Sequence, residues 1–268
     1  RTISLPLIRL AMNPQKSAIK LFDVTQTDSP PVRVVAVGDC NTITANPHQG
    51  TVADGLSQAL RKLGVNVQLV NLSGGMRTTR EGLAHLKDYP EPADIAVVNF
   101  GLVDSWSTSI PRLYVHYYPD TVVRKRIRKL VKFVKRRLRS GIGRRLVPFG
   151  RVVSVPEYVA NVSAIVQLLK ARNSEVQVFL WGTVPVTDRP FRNPDIIEYN
   201  AALQQVATDQ GVHYVDSATV VAGLNPEDRF IDGTHLSPAA VALIGEYVTR
   251  ACYGDADRSV GAQMRRAV

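Results

Sequence analysis

Three residues, Cys40, Asp232 and His235, have the types and the spacing that nucleophilic catalysis requires. Cys40 follows an apolar run that ends at Gly38, and a thiol in such a loop can attack an electrophilic carbon once a base removes its proton. Asp232 and His235 lie three residues apart, so the carboxylate can hold one ring nitrogen while the other acts as that base. The alternative for this pair is an ordinary loop before a helix, with an incidental histidine. These residues alone leave both interpretations open, and the catalytic one is a relay from Cys40 through His235 to Asp232.

Two alternatives remain open for Cys40. One is a small buried cysteine in a domain that has lost catalysis, and the other is a cysteine introduced in place of a serine. The catalytic hypothesis predicts a depressed thiol pKa, because a neighbouring imidazolium or a helix N-terminus stabilises a thiolate.

Strand-length apolar runs and helix-length segments alternate along the chain. The predicted strands are residues 33–37, 65–72, 94–100, 175–181 and 212–215. The predicted helices are residues 52–63, 78–86, 156–171, 194–210 and 237–252. The first three strands end in glycine and polar residues, and this rhythm predicts a parallel sheet with crossover helices and a site at the strands' carboxyl ends.

These motifs resemble those of the SGNH (GDSL-like) hydrolases. The resemblance rests on Gly38-Asp39-Cys40-Asn41-Thr42 and on Asp232-Gly233-Thr234-His235, and Cys40 stands where the family has serine. It covers roughly residues 33–252, apart from an insertion. It implies a flavodoxin-like three-layer α/β/α sandwich with a five-stranded parallel sheet, and an esterase or acyltransferase activity.

The resemblance also implies an oxyanion hole made by the nucleophile's amide, a glycine amide after the second strand and an asparagine after the third. The third motif reads Gly101-Leu102-Val103-Asp104, so Val103 replaces the asparagine. Losing one such donor costs about 3 kcal/mol of transition-state stabilisation. Either Asn41 or Asn99 substitutes, or turnover is slow. The predicted oxyanion and substrate-binding residues are Gly74, Gly75, Asn41, Asp104 and Trp181.

The positive charge of the protein is concentrated in one stretch. The chain has 33 basic and 23 acidic residues, and residues 124–145 hold 12 of the basic ones and no acidic one. Because an apolar stripe runs along the same predicted helix, we expect a membrane surface or an acidic polysaccharide as partner and no specific nucleic acid. The stripe consists of Ile127, Leu130, Val131, Val134 and Leu138. The predicted docking residues are Arg124, Lys125, Arg126, Arg128, Lys129 and Lys132.

Composition bounds the remaining possibilities. The 268 residues are 45% hydrophobic, which is typical of a globular protein, and no apolar run reaches the roughly 18 residues of a membrane span. The only cysteines, Cys40 and Cys252, are too few for a disulfide framework and predict free thiols in a cytoplasmic protein, with peripheral membrane attachment as a further expectation. The histidines lack metal-ligand spacing, and the first loop lacks the glycines of a dinucleotide motif, so we expect no metal and no cofactor.

The predicted organisation is an N-terminal arm (1–32), a hydrolase-like domain (33–252) with a basic helical insertion (105–155), and a polar tail (253–268). The first functional hypothesis is an esterase or acyltransferase acting on O-acyl groups of a carbohydrate, such as a bacterial surface polysaccharide. The alternative is a catalytically weakened domain that binds an acidic glycan or a membrane-associated biosynthetic complex through the insertion.

Overall fold

The computed structural model describes residues 30–43, 48–109, 121–138 and 149–253. Its strands are β1 (Val32–Gly38), β2 (Val67–Asn71), β3 (Ile95–Asn99), β4 (Ser107–Ser109), β5 (Phe149–Arg151), β6 (Gln177–Trp181) and β7 (His213–Val215). Its helices are α1 (Val52–Lys62), α2 (Thr79–Asp88), α3 (Val122–Leu138), α4 (Val155–Arg172), α5 (Asn193–Gln210), α6 (Ser217–Val220) and α7 (Pro238–Tyr253). Short 3-10 turns lie at Pro190–Arg192, Val221–Gly223 and Pro226–Asp228.

Five of the strands form one parallel sheet in the order β2-β1-β3-β6-β7. The predicted five-stranded α/β fold is therefore confirmed. Each predicted strand or helix of this unit matches an observed one, and the bounds differ by two residues at most. The chain passes from β1 to the neighbouring edge strand β2, returns past β1 to the central strand β3 and then adds β6 and β7, which is the strand order of a doubly wound fold.

The alternation of β1 explains how the sheet is covered on both faces. Val34 and Ala36 pack into one core with α1 and α7, whereas Val35 and Val37 pack into a second core with α2, α4 and α5. All four side chains are fully buried. A strand buried on both faces has no polar positions to spare, which is why this run is continuously apolar.

Helix ends follow local signals in the sequence. Thr51 caps α1 by accepting a hydrogen bond from the Asp54 amide at 3.2 Å, and Gly64 ends that helix with a φ of +81°. Thr78 and Glu81 form a reciprocal capping box at the start of α2. These ends place the loops after β1, β2 and β3 side by side at one edge of the sheet.

The described part of the predicted insertion contains a small hairpin and the long helix α3. The strands β4 and β5 pair antiparallel, and α3 lies between them in the chain. Arg151 of β5 fastens the hairpin to α5, because its Nη2 lies 2.8 Å from Asp195 Oδ1. The rest of the insertion (110–120 and 139–148), most of the predicted arm (1–29) and the tail from 254 onward lie outside the described residues, as do residues 44–47. Within the described ranges, none of the helices combines the length and apolarity needed to cross a membrane.

Candidate active site

The loop after β1 carries Cys40 and turns sharply at Gly38. A Cβ atom at Gly38 would lie 2.6 Å from the carbonyl oxygen of Asn99, so only glycine fits there. The Asp39 amide donates to that same carbonyl at 3.1 Å, and the Asp39 carboxylate accepts the Asn41 amide at 3.0 Å. These bonds fix Cys40 at the carboxyl edge of the sheet.

The loop before α7 brings Asp232 and His235 together. One carboxylate oxygen of Asp232 accepts the amides of Thr234 and His235 at 3.0 and 2.7 Å, and the other lies 2.6 Å from His235 Nδ1. Burial pushes the carboxyl pKa upward, but the hydrogen bonds from His235 and Thr234 outweigh it, so the pKa of Asp232 is lowered. Asp232 is therefore charged near neutral pH and holds His235 through Nδ1, which leaves Nε2 to act as a base.

The two loops are joined by the neighbours of their reactive residues. Asn41 Oδ1 accepts the Leu236 amide at 3.0 Å in a buried hydrogen bond. Asn41 and Leu236 are 195 residues apart in the sequence, and so are their neighbours Cys40 and His235. Cys40 and His235 therefore lie in adjoining loops of the folded chain. Within the described ranges no hydrogen bond joins the Cys40 thiol to the His235 ring, and in resting enzymes such bonds often tighten only when substrate binds.

Cys40 is buried in a mostly apolar pocket. Its exposure is 4%, and it packs in a small cluster with Leu102, Val186 and Ile196. Burial raises the pKa of the thiol well above its ordinary value, and the Asp39 carboxylate raises it further. This is the opposite of the depressed pKa that the sequence led us to expect. The resting thiol is protonated, as a serine hydroxyl would be.

Two backbone amides face the sulfur of Cys40. They are its own amide and that of Met76, and both act to lower the thiol pKa against the burial that raises it. Met76 has a φ of +59° and is the one non-glycine residue with positive φ in the described part of the chain. Backbone strain of this kind clusters at functional sites, and here it aims an amide at the nucleophile.

Sequence comparison identifies the family to which this arrangement belongs. The sequence profile of the GDSL-like lipase/acylhydrolase family matches residues 36–243, which include the loops of Cys40 and His235. The chain belongs to this family. As a member of the GDSL-like family it is a hydrolase of ester bonds. A comparison with curated protein sequences found no match.

Solved structures of GDSL-like hydrolases share the fold. A lipase/acylhydrolase from Enterococcus faecalis superposes with a TM-score of 0.54 at 19% identity, covering 83% of this chain and 95% of its own. TesA gives a TM-score of 0.52 at 18% identity, with 81% and 97% covered. A variant of Axe2, an acetyl-xylooligosaccharide esterase from Geobacillus stearothermophilus, gives 0.52 at 16% identity, with 83% and 94% covered.

The loop after β2 differs from what the resemblance to GDSL-like hydrolases implied. The Gly74 amide donates to the Gly38 carbonyl at 3.1 Å, so it supports the nucleophile loop and does not face the substrate position. The prediction of Gly74 as an oxyanion donor is wrong for this reason. Gly75, the other candidate, lies between Gly74 and Met76, whose amide takes that place. The signal missed was conformational: positive φ at a methionine leaves no trace in the sequence.

Asn99 and Asn41, the two candidates to replace the missing asparagine of the loop after β3, both hold neighbouring loops in place. Val103 is fully buried and carries no donor. Asn99 is committed at both ends, since its Nδ2 donates to the Trp181 carbonyl at 3.0 Å and its Oδ1 accepts the Thr42 hydroxyl at 3.2 Å. Asn41 uses its oxygen to hold the histidine loop. Both asparagines therefore position loops.

Asp104 and Trp181, two further predicted site residues, serve the fold. Asp104 is fully buried and accepts the amide and the hydroxyl of Thr79 at 2.9 and 2.7 Å, which ties the loop after β3 to the start of α2. Trp181 is also fully buried, in the core beneath α1 and α7. The prediction that Trp181 lines a substrate cleft is wrong, because its ring packs inward from the strand end.

Arg192 is the residue near the nucleophile that the sequence analysis missed. It lies just before α5, is 8% exposed, and donates from Nη2 to the carbonyl of Leu102, which packs against Cys40. Its guanidinium also lies 5.0 Å from the centre of the Trp106 ring. Burial lowers the pKa of Arg192 to about 10, so it stays charged at neutral pH and acts electrostatically on both Cys40 and Asp39. Nothing in the local sequence marks it, because its neighbours come from other strand ends.

Proposed function

We propose that the protein cleaves or transfers O-acyl groups of a carbohydrate, with Cys40 as nucleophile, His235 as general base and Asp232 as the residue that orients it. The observation that carries the proposal is the hydrogen-bonded Asp232–His235 pair, fastened to the Cys40 loop through Asn41 and Leu236. A paired base beside a buried nucleophile is the minimum that acyl transfer requires.

In the proposed first step, Cys40 Sγ attacks the acyl carbonyl carbon as His235 Nε2 takes its proton. The carbonyl electrons move onto oxygen, and the oxyanion collapses to a thioester while the departing sugar oxygen takes the proton from His235. Water, or a second sugar hydroxyl, then attacks the thioester in the same way and releases the acyl group. Cys40 regains its proton at the end, so the cycle balances for hydrolysis and for transfer.

In this proposal the oxyanion is held by the amides of Cys40 and Met76, with Arg192 supplying positive charge where the family has asparagine. Both amides face the position of the sulfur, and the Arg192 guanidinium acts electrostatically on the same atom. A fixed donor in a pocket from which water is excluded stabilises charge more than the same donor in water. Arg192 thus offsets part of the loss caused by Val103.

The carbohydrate part of the proposal is supported by the likeness in fold to an acetyl-xylooligosaccharide esterase. The test is release of acetate from acetylated xylo-oligosaccharides, compared with release of p-nitrophenol from p-nitrophenyl acetate. The wild type should cleave both, and His235→Ala and Cys40→Ala should each lose at least about 1000-fold in kcat/KM.

Two variants control for unspecific effects of these changes. His85→Ala removes a histidine from the exposed face of α2, and Cys252→Ala removes the other buried thiol. Both controls should keep near wild-type turnover. Undiminished turnover in His235→Ala or in Cys40→Ala would refute the relay. Turnover of p-nitrophenyl acetate alone would refute the acetylated xylo-oligosaccharide as a substrate but leave the relay standing.

A second candidate function is a catalytically weakened domain that binds an acidic glycan or a membrane-associated complex. The raised pKa of Cys40 and the buried Val103 favour it. The same assay separates the two, because this candidate predicts wild-type turnover no faster than that of His235→Ala.

A further inference from the structure

The helix α3 is cationic throughout its length. Its sequence, VVRKRIRKLVKFVKRRL, contains nine basic residues and no acidic one. The other eight residues are apolar, so the helix has no neutral polar positions at all. Such a helix has both features that bind peripheral proteins to lipid, which are positive charge and apolar side chains in reach of a surface.

The side of α3 that faces the domain is mostly cationic. Arg124, Arg128, Val131 and Lys135 are half-buried, and Lys135 Nζ donates to Thr108 Oγ1 of β4 at 3.1 Å. Four other apolar side chains face outward, with spacings of four, three and four residues that align them in one exposed stripe. The exposures in this stripe are 66% for Val123, 43% for Ile127, 62% for Leu130 and 39% for Val134.

We propose that the apolar stripe of α3 inserts into an anionic phospholipid surface while the basic residues beside it contact the lipid headgroups. Charge complementarity selects this occupant, because six of the nine basic residues of α3 are exposed and the helix contains no acidic residue. A soluble polyanion would contact the charges and leave Leu130 and Val123 in water. A second copy of the helix, paired through the same stripe, would bring two sets of like charges together.

The insertion that carries α3 is connected to the loops of the active site. The insertion leaves the domain directly after the loop of Leu102, and Trp106 at its stem contacts Arg192. Arg192 in turn bonds the carbonyl of Leu102, which packs on Cys40. The proposal does not depend on the acyl-transfer activity, but it predicts that a docked enzyme meets its substrate at the surface.

The experiment is co-sedimentation of the full chain with vesicles of phosphatidylglycerol mixed into phosphatidylcholine, and with vesicles of phosphatidylcholine alone. Leu130→Ser removes apolar area without changing charge, and its matched control is Ile197→Ser on α5, where the side chain is 58% exposed. Arg126→Gln with Lys129→Gln removes two exposed charges, and Lys87→Gln with Arg250→Gln makes the same charge change on distant helices. Circular dichroism confirms that each variant is folded.

We expect binding to the anionic vesicles only, weakened by salt, and reduced about tenfold by Leu130→Ser and by the α3 charge variant but by neither control. Binding that Leu130→Ser leaves unchanged would refute insertion and indicate adsorption through charge alone, as for an acidic polysaccharide. A dimer in sedimentation equilibrium that Leu130→Ser dissociates would show a second copy as the occupant and would also refute the proposal. Equal binding to both kinds of vesicle would refute the role of the charges.

Discussion

The two halves of the active site differ in their contact with water. Asp232 and His235 lie in a loop where their side chains are 46% and 22% exposed, and their hydrogen bond is already formed. Cys40 lies under the sheet edge with 4% exposure, beside the buried carboxylate of Asp39. One half is a solvated acid–base pair, and the other is a dry pocket that disfavours negative charge.

This difference indicates how the relay must work. A resting pair of thiolate and imidazolium, as in many cysteine enzymes, needs surroundings that lower the thiol pKa. Here burial and Asp39 raise the pKa of Cys40, so the proton has to leave during attack, when the oxyanion donors can take up the developing charge. The chain thus has a cysteine in a site whose electrostatics suit a serine.

The largest effect that tests this view is expected at Arg192. Arg192→Met should lower kcat/KM by about 10- to 100-fold, because it removes the cation that acts on Cys40. It should also shift the pH dependence of Cys40 alkylation by iodoacetamide upward, since losing a neighbouring cation raises a thiol pKa. Arg192→Lys should restore part of both. Alkylation is best followed with Cys252 replaced by alanine.

The control for that experiment is Arg189→Met, which changes the same residue type at a nearby position where the side chain is 58% exposed. It should leave both the turnover and the alkylation profile near those of the wild type. If Arg192→Met changes turnover but not the alkylation profile, Arg192 acts through the fold and not through the charge at Cys40.

The parts of the molecule that the sequence predicts well depend on local signals. The continuously apolar run from Val34 to Val37 predicts a strand that is buried on both faces. Gly64 predicts the end of a helix, because glycine readily adopts the positive φ that is found there. Asp232 and His235 lie within one loop, so their pairing needs no knowledge of the fold. These signals lie within a few residues of what they specify.

The parts that the sequence does not predict depend on long-range placement or on backbone conformation. Arg192 approaches Cys40 only because the loops after β3 and β6 meet, and nothing around either residue reveals this. Met76 rather than Gly74 supplies the amide that faces Cys40, because the backbone turns between these two residues. Trp181 is the last residue of its strand, and its ring faces the core rather than a cleft. Because side chains alternate between the two faces of a sheet, a shift of one residue at the strand end would reverse this direction.

A smaller effect is expected from replacing the nucleophile itself. Cys40→Ser should keep kcat/KM within about tenfold of the wild type, because the hydroxyl, like the neutral thiol, gives up its proton during attack. Cys40→Ala marks the level without a nucleophile, measured on p-nitrophenyl acetate. If Cys40→Ser is as inactive as Cys40→Ala, the enzyme works through a thiolate, and the contrast between the two halves of the site fails.

The smallest effect is expected in the pH dependence of stability, which the buried half of the site controls. Burial raises the pKa of Asp39 and of Asp104 to about 7, and the charge of Asp104 adds to the shift of Asp39. One carboxylate oxygen of each accepts no hydrogen bond among the described residues. Between about pH 4 and 7 the folded chain therefore holds protons that the unfolded chain has released, so stability falls as the pH rises through this window. Asp232 has the opposite effect on stability, because its pKa in the folded chain is lowered from the ordinary value of 3.8. The stability that this carboxylate contributes is present above pH 3.8 and is lost as the pH falls through the lowered pKa.

Asp104→Asn isolates the contribution of the buried pair. The variant removes one titrating group and its charge from beside Asp39, so the fall in Tm between pH 5 and pH 8 should be smaller than in the wild type by at least about 2–4 °C, the shift that corresponds to about 1 kcal/mol in a domain of this size. Asp88→Asn, at an exposed carboxylate on α2, should leave the fall unchanged. Thermal unfolding followed by circular dichroism at both pH values measures the difference. An identical fall in Asp104→Asn and the wild type would mean that both carboxylates are charged in the folded protein at pH 5, and that the Cys40 pocket is more polar than its burial indicates.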